Sequence, residues 1–300
     1  MHSTNGHIRI LHLSDLHFGP PFVSEVGNAV LRIAPKLEAD AIVISGDFTQ
    51  RATRQQFQSA ADFLNELPDV PQLCVPGNHD VPLYRFRERM LAPHQLYREY
   101  ISNALNPVLE LEHAVIVGLD STAPCRTITN GRIHKWQLDI AEEIFANAPS
   151  GAARIVVAHH HFAPAPDSLY DRSMPKAKRA IMRFVEDDVD IVLGGHLHRA
   201  YIGNTLDVYP GVHRERGIVV VQSGTTTSRR GRGREREKNS LNVIDIDEKE
   251  MKITHYLYFN ADDGFVPSSR HVFARGMMTL AEEPPRHQSV TQKPHGDAKT

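Results

Sequence analysis

The sequence predicts an α/β fold that closes in antiparallel strands, and three observations carry that expectation. Short apolar runs alternate with amphipathic helical segments up to about residue 195. Five of those runs end in turns that hold Asp, Asn or His. The three apolar runs after residue 217 then follow one another with no helical segment between them.

Ile8 to Leu13 reads as a buried strand, closed by the polar run Ser14 to His17 and by Gly19, Pro20 and Pro21. Val26 to Leu37 carries apolar residues at helical spacing, and Pro35 should kink or end that helix early, because proline lacks the N–H and clashes with the preceding turn. Ala41 to Ile44 is a second short strand, ending at Ser45, Gly46 and Asp47. Thr53 to Leu67 is amphipathic, with Phe57, Ala60, Ala61 and Leu64 on one face, and Gln72 to Val75 is a third strand that stops at Pro76 and Gly77. Pro82 to Pro107 is helical in pattern but rich in Arg, Tyr and Phe, which predicts a surface excursion beside the site rather than core. Val108 to Leu111 and Val115 to Leu119 pair around Glu112 and His113. Lys135 to Ala146 is a helix, Arg154 to Ala158 a strand, Lys176 to Val185 a helix, and Asp190 to Leu193 a strand ending at Gly194 and Gly195. Ile218 to Gln222, Leu241 to Ile246 and Met251 to Phe259 complete the strands. Residues 1–278 are expected to form one catalytic domain. Residues 279–300, polar and with Pro284, Pro285 and Pro294, are expected to be a disordered tail.

Composition narrows the function classes. With 41% apolar and 23% charged residues in 300, the chain reads as an ordinary soluble globular protein. No run approaches the roughly 18 apolar residues of a membrane helix, and Met1 to Arg9 has no signal-peptide core, so a cytoplasmic location is expected. A net charge of -2 supplies no global field for nucleic acid, which argues against a nuclease. Cys74 and Cys125 are too few for a disulfide framework. Eighteen histidines say more, imidazole being the commonest protein ligand for transition metals.

The chemistry-bearing residues sit at strand ends. Asp15 and His17 lie two apart just past the first strand, and in an extended chain both side chains would project to one side. Gly46-Asp47 follows the second strand and Gly77-Asn78-His79-Asp80 the third. His159 to His161 follows the strand Arg154 to Ala158, and Gly195-His196-Leu197-His198 the strand Asp190 to Leu193. In α/β sheets, ligands collect beyond the carboxyl ends of strands, so residues remote in sequence can converge there. Singly, each has a plainer reading: Asp15 or Asp47 could cap a helix, and Asn78 could hold a turn. The set of five, in order, favours convergence.

That series, Asp15-x-His17, Gly46-Asp47, Gly77-Asn78-His79-Asp80, His159-His160 and Gly195-His196-x-His198, resembles the calcineurin-like metallophosphoesterase family over about residues 8 to 260. The resemblance implies a four-layer sandwich of two mixed β-sheets flanked by helices. It implies that Asp15, His17 and His198 hold one metal, that Asn78, His159 and His196 hold the other, and that Asp47 bridges them. Oxygen and imidazole ligands without thiolate suit Mn, Fe, Zn or Mg. A bridging hydroxide would then attack a phosphoester clamped by both ions. His79 would contact the phosphoryl oxygens or protonate the leaving alkoxide, with Asp80 orienting its ring. The run His159-His160-His161 departs from the family, where prolines usually follow two histidines, and leaves His160 as an alternative ligand. His12, inside the first strand, reads as a core histidine, and no motif places His134 or His213.

Among family activities the motif set is nearest to the cyclic-nucleotide phosphodiesterase branch. A cyclic nucleotide or other small phosphodiester is therefore the expected substrate. The alternatives are a pyrophosphate hydrolase acting on a lipid-linked nucleotide, which an apolar groove beside Pro82 to Pro107 would favour, and a non-catalytic metal-binding scaffold. Two further segments stay open. Ser223 to Thr227 is a polar turn that could face the site. Arg229 to Lys238, with six basic residues among two acidic ones, is either a solvated hairpin loop or a flexible basic flap over an anionic substrate or membrane headgroup.

Overall fold

The computed structural model describes residues 6–125, 130–164, 173–209, 217–232, 236, 238–260 and 264–275. The expected tail at 279–300 and His213 lie outside them, as do residues 233–235 and 237 of the basic loop.

Strand β1 (Ile8–Leu13) leads to helix α1 (Ser24–Ile33), which gives way to a 3-10 turn at Ala34–Leu37 where Pro35 interrupts the α-helical bonding. Strand β2 (Ala41–Ile44), helix α2 (Arg54–Glu66) and strand β3 (Gln72–Cys74) follow. Helix α2 starts at Thr53, whose side chain accepts the Gln56 amide as an N-cap. The excursion after β3 forms two one-and-a-half-turn helices, α3 (Phe86–Leu91) and α4 (Gln95–Tyr100). It is not all surface. Tyr97 is fully buried and its hydroxyl donates to the Cys74 carbonyl at 2.9 Å, pinning α4 to the end of β3.

Strands β4 (Val108–Leu111) and β5 (Ala114–Gly118) form a hairpin; α5 (Lys135–Ala146), β6 (Ala153–Val157), α6 (Ala177–Glu186) and β7 (Ile191–Gly194) complete the alternation. Then come β8 (Tyr201–Asn204), a single helical turn α7 (Thr205–Val208), β9 (Val219–Gln222), β10 (Ser240–Ile246), β11 (Glu250–Phe259) and β12 (Gly264–Ala274). Sequence reading misses β8 and β12. Both are edge strands, half-exposed along much of their length, so neither shows the apolar run that marks a buried strand.

Two six-stranded mixed sheets result, ordered β12-β11-β10-β1-β2-β3 and β4-β5-β6-β7-β9-β8. In the first, β1, β2 and β3 run parallel while β10 to β12 are antiparallel. In the second, β5, β6, β7 and β9 run parallel, and β4 and β8 close the edges antiparallel. Alternation along each strand then divides the core. Ile8, Ile10 and Val43 of the first sheet meet Ile116, Ile155 and Val221 of the second, whereas Leu11, Leu13 and Ile44 pack on the helical layer with Val30 and Phe57. Phe145, Ile181 and Phe184 of α5 and α6 cover the outer face of the second sheet. The expected four layers are all present.

Candidate metal centre

The parallel ladder of β1 and β2 continues past the strands. The Asp15 amide donates to Gly46 O, His17 to Asp47 O and Phe18 to Phe48 O, at 3.0, 2.9 and 2.8 Å. Within this continuation the chain is not extended. Asp15, His17 and Asp47 sit at φ 54°, 53° and 56°, and His196 and His198 at 76° and 53°. A left-handed backbone is uncommon for non-glycine residues, and each instance costs on the order of 1 kcal/mol. Asp15 and His17 therefore reach the site by paired left-handed turns, which corrects the expected extended pair.

Glycine permits the loops to close on one another. A Cβ on Gly195 would collide with Ser14 Oγ and lie 2.5 Å from Asp15 Oδ2; a Cβ on Gly77 would collide with the Asp47 amide and carboxylate.

Each carboxylate has one oxygen tied and one aimed inward. Asp15 Oδ2 accepts from the Ser14 hydroxyl (2.6 Å) and the His196 amide (3.0 Å), leaving Oδ1 3.6 Å from His17 Nε2 and 3.5 Å from His198 Nε2. Asp47 Oδ1 accepts the His79 amide (2.8 Å), leaving Oδ2 3.6 Å from His17 Nε2 and 3.4 Å from His159 Nε2. Asp47 Oδ2 thus lies between two groups of ligand atoms. On its other side Asn78 Oδ1 is 3.1 Å from His159 Nε2 and 2.8 Å from His196 Nδ1. The structure so brings together all seven residues that the motif series singles out.

These residues fit a metal. One ligand atom from each of Asp15, His17, Asp47 and His198 lies within 4.8 Å of the other three. Asp15 Oδ1, Asp47 Oδ2 and His17 Nε2 are buried without a hydrogen-bond partner among the described residues, an arrangement that is expensive unless a cation sits among them. His159 makes the same point. Its Nδ1 donates to Ser45 O at 2.8 Å, so in the neutral ring Nε2 turns a lone pair toward two oxygens. Burial opposes ionisation of both carboxyls, yet His198 beside Asp15 and His159 beside Asp47 hold them below the usual carboxylate range. Burial pushes His198 down to about 3 and His196 well below its ordinary value, while Asp47 overcomes burial to raise His159 to about 9. Anionic carboxylates and mostly neutral imidazoles are what a divalent ion requires, and the ion would take the place of the His159 proton.

The other expected residues divide. His79 stands beside the cluster, its ring centroid 4.9 Å from that of His17. Its Nδ1 donates to Gln50 O at 3.0 Å, so the ring is oriented by Gln50 and not by Asp80. Asp80 instead accepts from the amides of Gly77, Phe48 and Thr49 at 2.9, 3.2 and 2.9 Å and locks the second motif loop to the third. The sequence could not show this, because Asp80 is adjacent to His79 in the chain yet points the other way. His160 turns its Nδ1 to Ser121 Oγ at 2.8 Å, which leaves His159 at Asp47. His12, fully buried and lowered to about 3 by burial, lies 2.9 Å from Ser45 Oγ, as a core histidine.

The polar turn that the sequence leaves open at Ser223 to Thr227 does face the site, through the strap at Thr225–Ser228. Thr226 N donates to Ser14 O at 2.9 Å, Thr225 Oγ1 to Asp15 O at 2.8 Å and Thr227 Oγ1 to Leu16 O at 2.7 Å. The one available signal is a hydroxyl-rich turn directly after a strand of the second sheet.

A family model of the calcineurin-like phosphoesterases matches residues 8–200. The chain belongs to the calcineurin-like phosphoesterase family. No curated protein matches the sequence. Among solved structures, a dimetal phosphatase from Danio rerio superposes with a TM-score of 0.61 at 11% identity, over 90% of this chain and 99% of that one. A purple acid phosphatase from yellow lupin seeds gives 0.64 at 11% identity over 90% of this chain, which spans 54% of the lupin protein. The protein PhoD gives 0.63 at 12% identity, over 90% of this chain and 70% of that one. At such identities these likenesses speak to the fold. The family and the cluster together give a calcineurin-like phosphoesterase fold with a group of residues able to bind metal.

Proposed function

We propose that the protein is a dinuclear metal-dependent hydrolase of a small phosphodiester, a cyclic nucleotide being the leading candidate, acting in the cytoplasm. Asp15, His17 and His198 would hold one ion, Asn78, His159 and His196 the other, and Asp47 would bridge them. The observation that carries this reading is the pair of half-tied carboxylates, each with its second oxygen directed at buried imidazole nitrogens. When bound, the ion pair supplies Lewis acidity at the phosphoryl group and an activated water as nucleophile. The chain does the rest. Ser14 and the His196 amide fix the Asp15 carboxylate, Ser45 fixes the His159 tautomer, and Asp80 holds two ligand loops in register. Gln50 fixes Nδ1 of His79, so Nε2 is the atom left to contact a phosphoryl oxygen or to carry a proton to the leaving alkoxide.

One observation favours a second reading, hydrolysis of a lipid-linked nucleotide. Leu83, Tyr84, Phe86, Met90 and Leu91 are all exposed, Tyr84 at 77% and Leu91 at 84%, on the excursion that follows the Asp80 loop. Such clustering is unusual for a surface facing water alone and suits an amphiphilic substrate. The two readings part in one assay. Full-length protein supplied with Mn should cleave bis(p-nitrophenyl) phosphate faster than p-nitrophenyl phosphate and accept a cyclic nucleotide. Preference for a detergent-dispersed lipid pyrophosphate over every simple diester would favour the second, and no turnover on any of them would leave a metal-binding scaffold.

A further inference from the structure

Arg230 belongs to neither motif series nor metal cluster, yet the fold suspends it across the centre. Its loop leaves the Thr225–Ser228 strap, where Asn239 Nδ2 donates to Ser228 O at 2.9 Å, and Arg229 N is held by Pro21 O at 2.9 Å. Three residues on, Arg232 N donates to the carbonyl of His198 at 3.1 Å. From between these anchors the Arg230 guanidinium reaches Gln50, donating through Nη1 to Oε1 at 2.8 Å. Gln50 is the residue whose carbonyl orients His79. The segment therefore joins the His198 side of the centre to its His79 side, His17 lying 4.9 Å from both of those rings.

The electrostatics agree with the geometry. Burial lowers the Arg230 guanidinium from its ordinary value, and the charges that oppose this most are Asp47 and Asp15, the two inward-facing carboxylates. One guanidinium N–H is committed to an amide oxygen, which is neutral, so the charge is not cancelled where it is anchored. A planar fork held in this way is preorganised for a phosphoryl oxygen.

We propose that Arg230 is a substrate-binding residue that donates hydrogen bonds to a non-bridging phosphoryl oxygen, with Gln50 as its positioning residue. This rests on the phosphoesterase reading for its substrate, but it concerns a ligand, the phosphoryl group, that can be tested without turnover. The test is calorimetric titration of inorganic phosphate into Mn-loaded full-length protein, for wild type, Arg230→Ala, Arg230→Lys and, as a control in the same loop, Arg229→Ala. Metal content and circular dichroism are measured alongside. Arg230→Ala should weaken phosphate binding roughly ten- to hundredfold, the range of a charge-assisted hydrogen-bond pair. Arg230→Lys should recover part of that loss, Arg229→Ala should change little, and all should retain metal and fold. With bis(p-nitrophenyl) phosphate, Arg230→Ala should raise KM as well as lower kcat. Unchanged phosphate affinity in a folded, metal-loaded Arg230→Ala overturns the proposal, as does a wild-type protein that binds no phosphate. If wild type binds phosphate through Arg230 but hydrolyses no ester, the residue assignment stands and the proposed reaction falls.

Discussion

Five of the seven candidate ligands, Asp15, His17, Asp47, His196 and His198, occupy left-handed backbone, and that is the clearest physical mark of the site. Side chains at such positions leave the strand ends at angles that extended residues cannot reach, and the local strain is offset by the ladder hydrogen bonds that run past β1 and β2. Gly195 shows how tight the arrangement is, since any side chain there meets Ser14 and Asp15. Gly195→Ala should therefore displace the Asp15 carboxylate, lower metal occupancy at least severalfold and abolish most turnover, with a loss of stability of about 1–3 kcal/mol typical of overpacking. Metal content and a melting curve of the variant test this, and full occupancy with native stability would contradict it. The motif residues themselves are legible in the sequence because ligand chemistry restricts them to few residue types. Their backbone conformation is not, and neither is the partner of His79. That partner is a carbonyl, and every residue carries one.

At the scale of elements, β1 to β3 and β6 to β7 are readable because buried parallel strands leave apolar runs that stop abruptly at Gly or polar turns. Helices α2 and α5 are readable from their spacing, and Thr53 marks the start of α2. The edge strands β8 and β12 are not, since one face of each is wet. The antiparallel half of the first sheet is held partly by charge. Asp245 on β10 accepts from Arg9 Nε of β1 at 2.7 Å and lies 3.2 Å from Lys252 Nζ of β11. Burial would raise the Asp245 carboxyl, but Arg9 and Lys252 prevail and hold it below the ordinary carboxylate range. A depressed folded-state value gives stability that is present above the unfolded value near 4 and lost as pH falls through the folded one. Asp245→Asn should thus destabilise the protein by up to about 1 kcal/mol at neutral pH, the range of partly exposed ion pairs. The difference should close as pH falls through the depressed folded-state value. Denaturant midpoints across pH check this; a deficit that persists in acid would assign the effect to packing.

For the molecule as a whole, the arrangement of the two sheets decides where chemistry can occur. Asp15, His17, Asp47 and Asn78 leave the carboxyl ends of β1, β2 and β3 in the first sheet. His159, His196 and His198 leave those of β6 and β7 in the second. The centre therefore lies on the seam, with Gly46, Gly77 and Gly195 letting the loops of both sheets meet there. In the proposed assignment neither sheet alone would carry a full ligand set, and Asp47, with Oδ2 between His17 and His159, would be the residue shared by the two half-sites. The most direct test is the metal content of the purified full-length chain by mass spectrometry, wild type beside Asp47→Ala. About two transition-metal ions per wild-type chain are expected, falling to about one or fewer in the variant, with loss of turnover. A folded wild-type protein that takes up no metal, or an Asp47→Ala variant with wild-type metal content and activity, would contradict this.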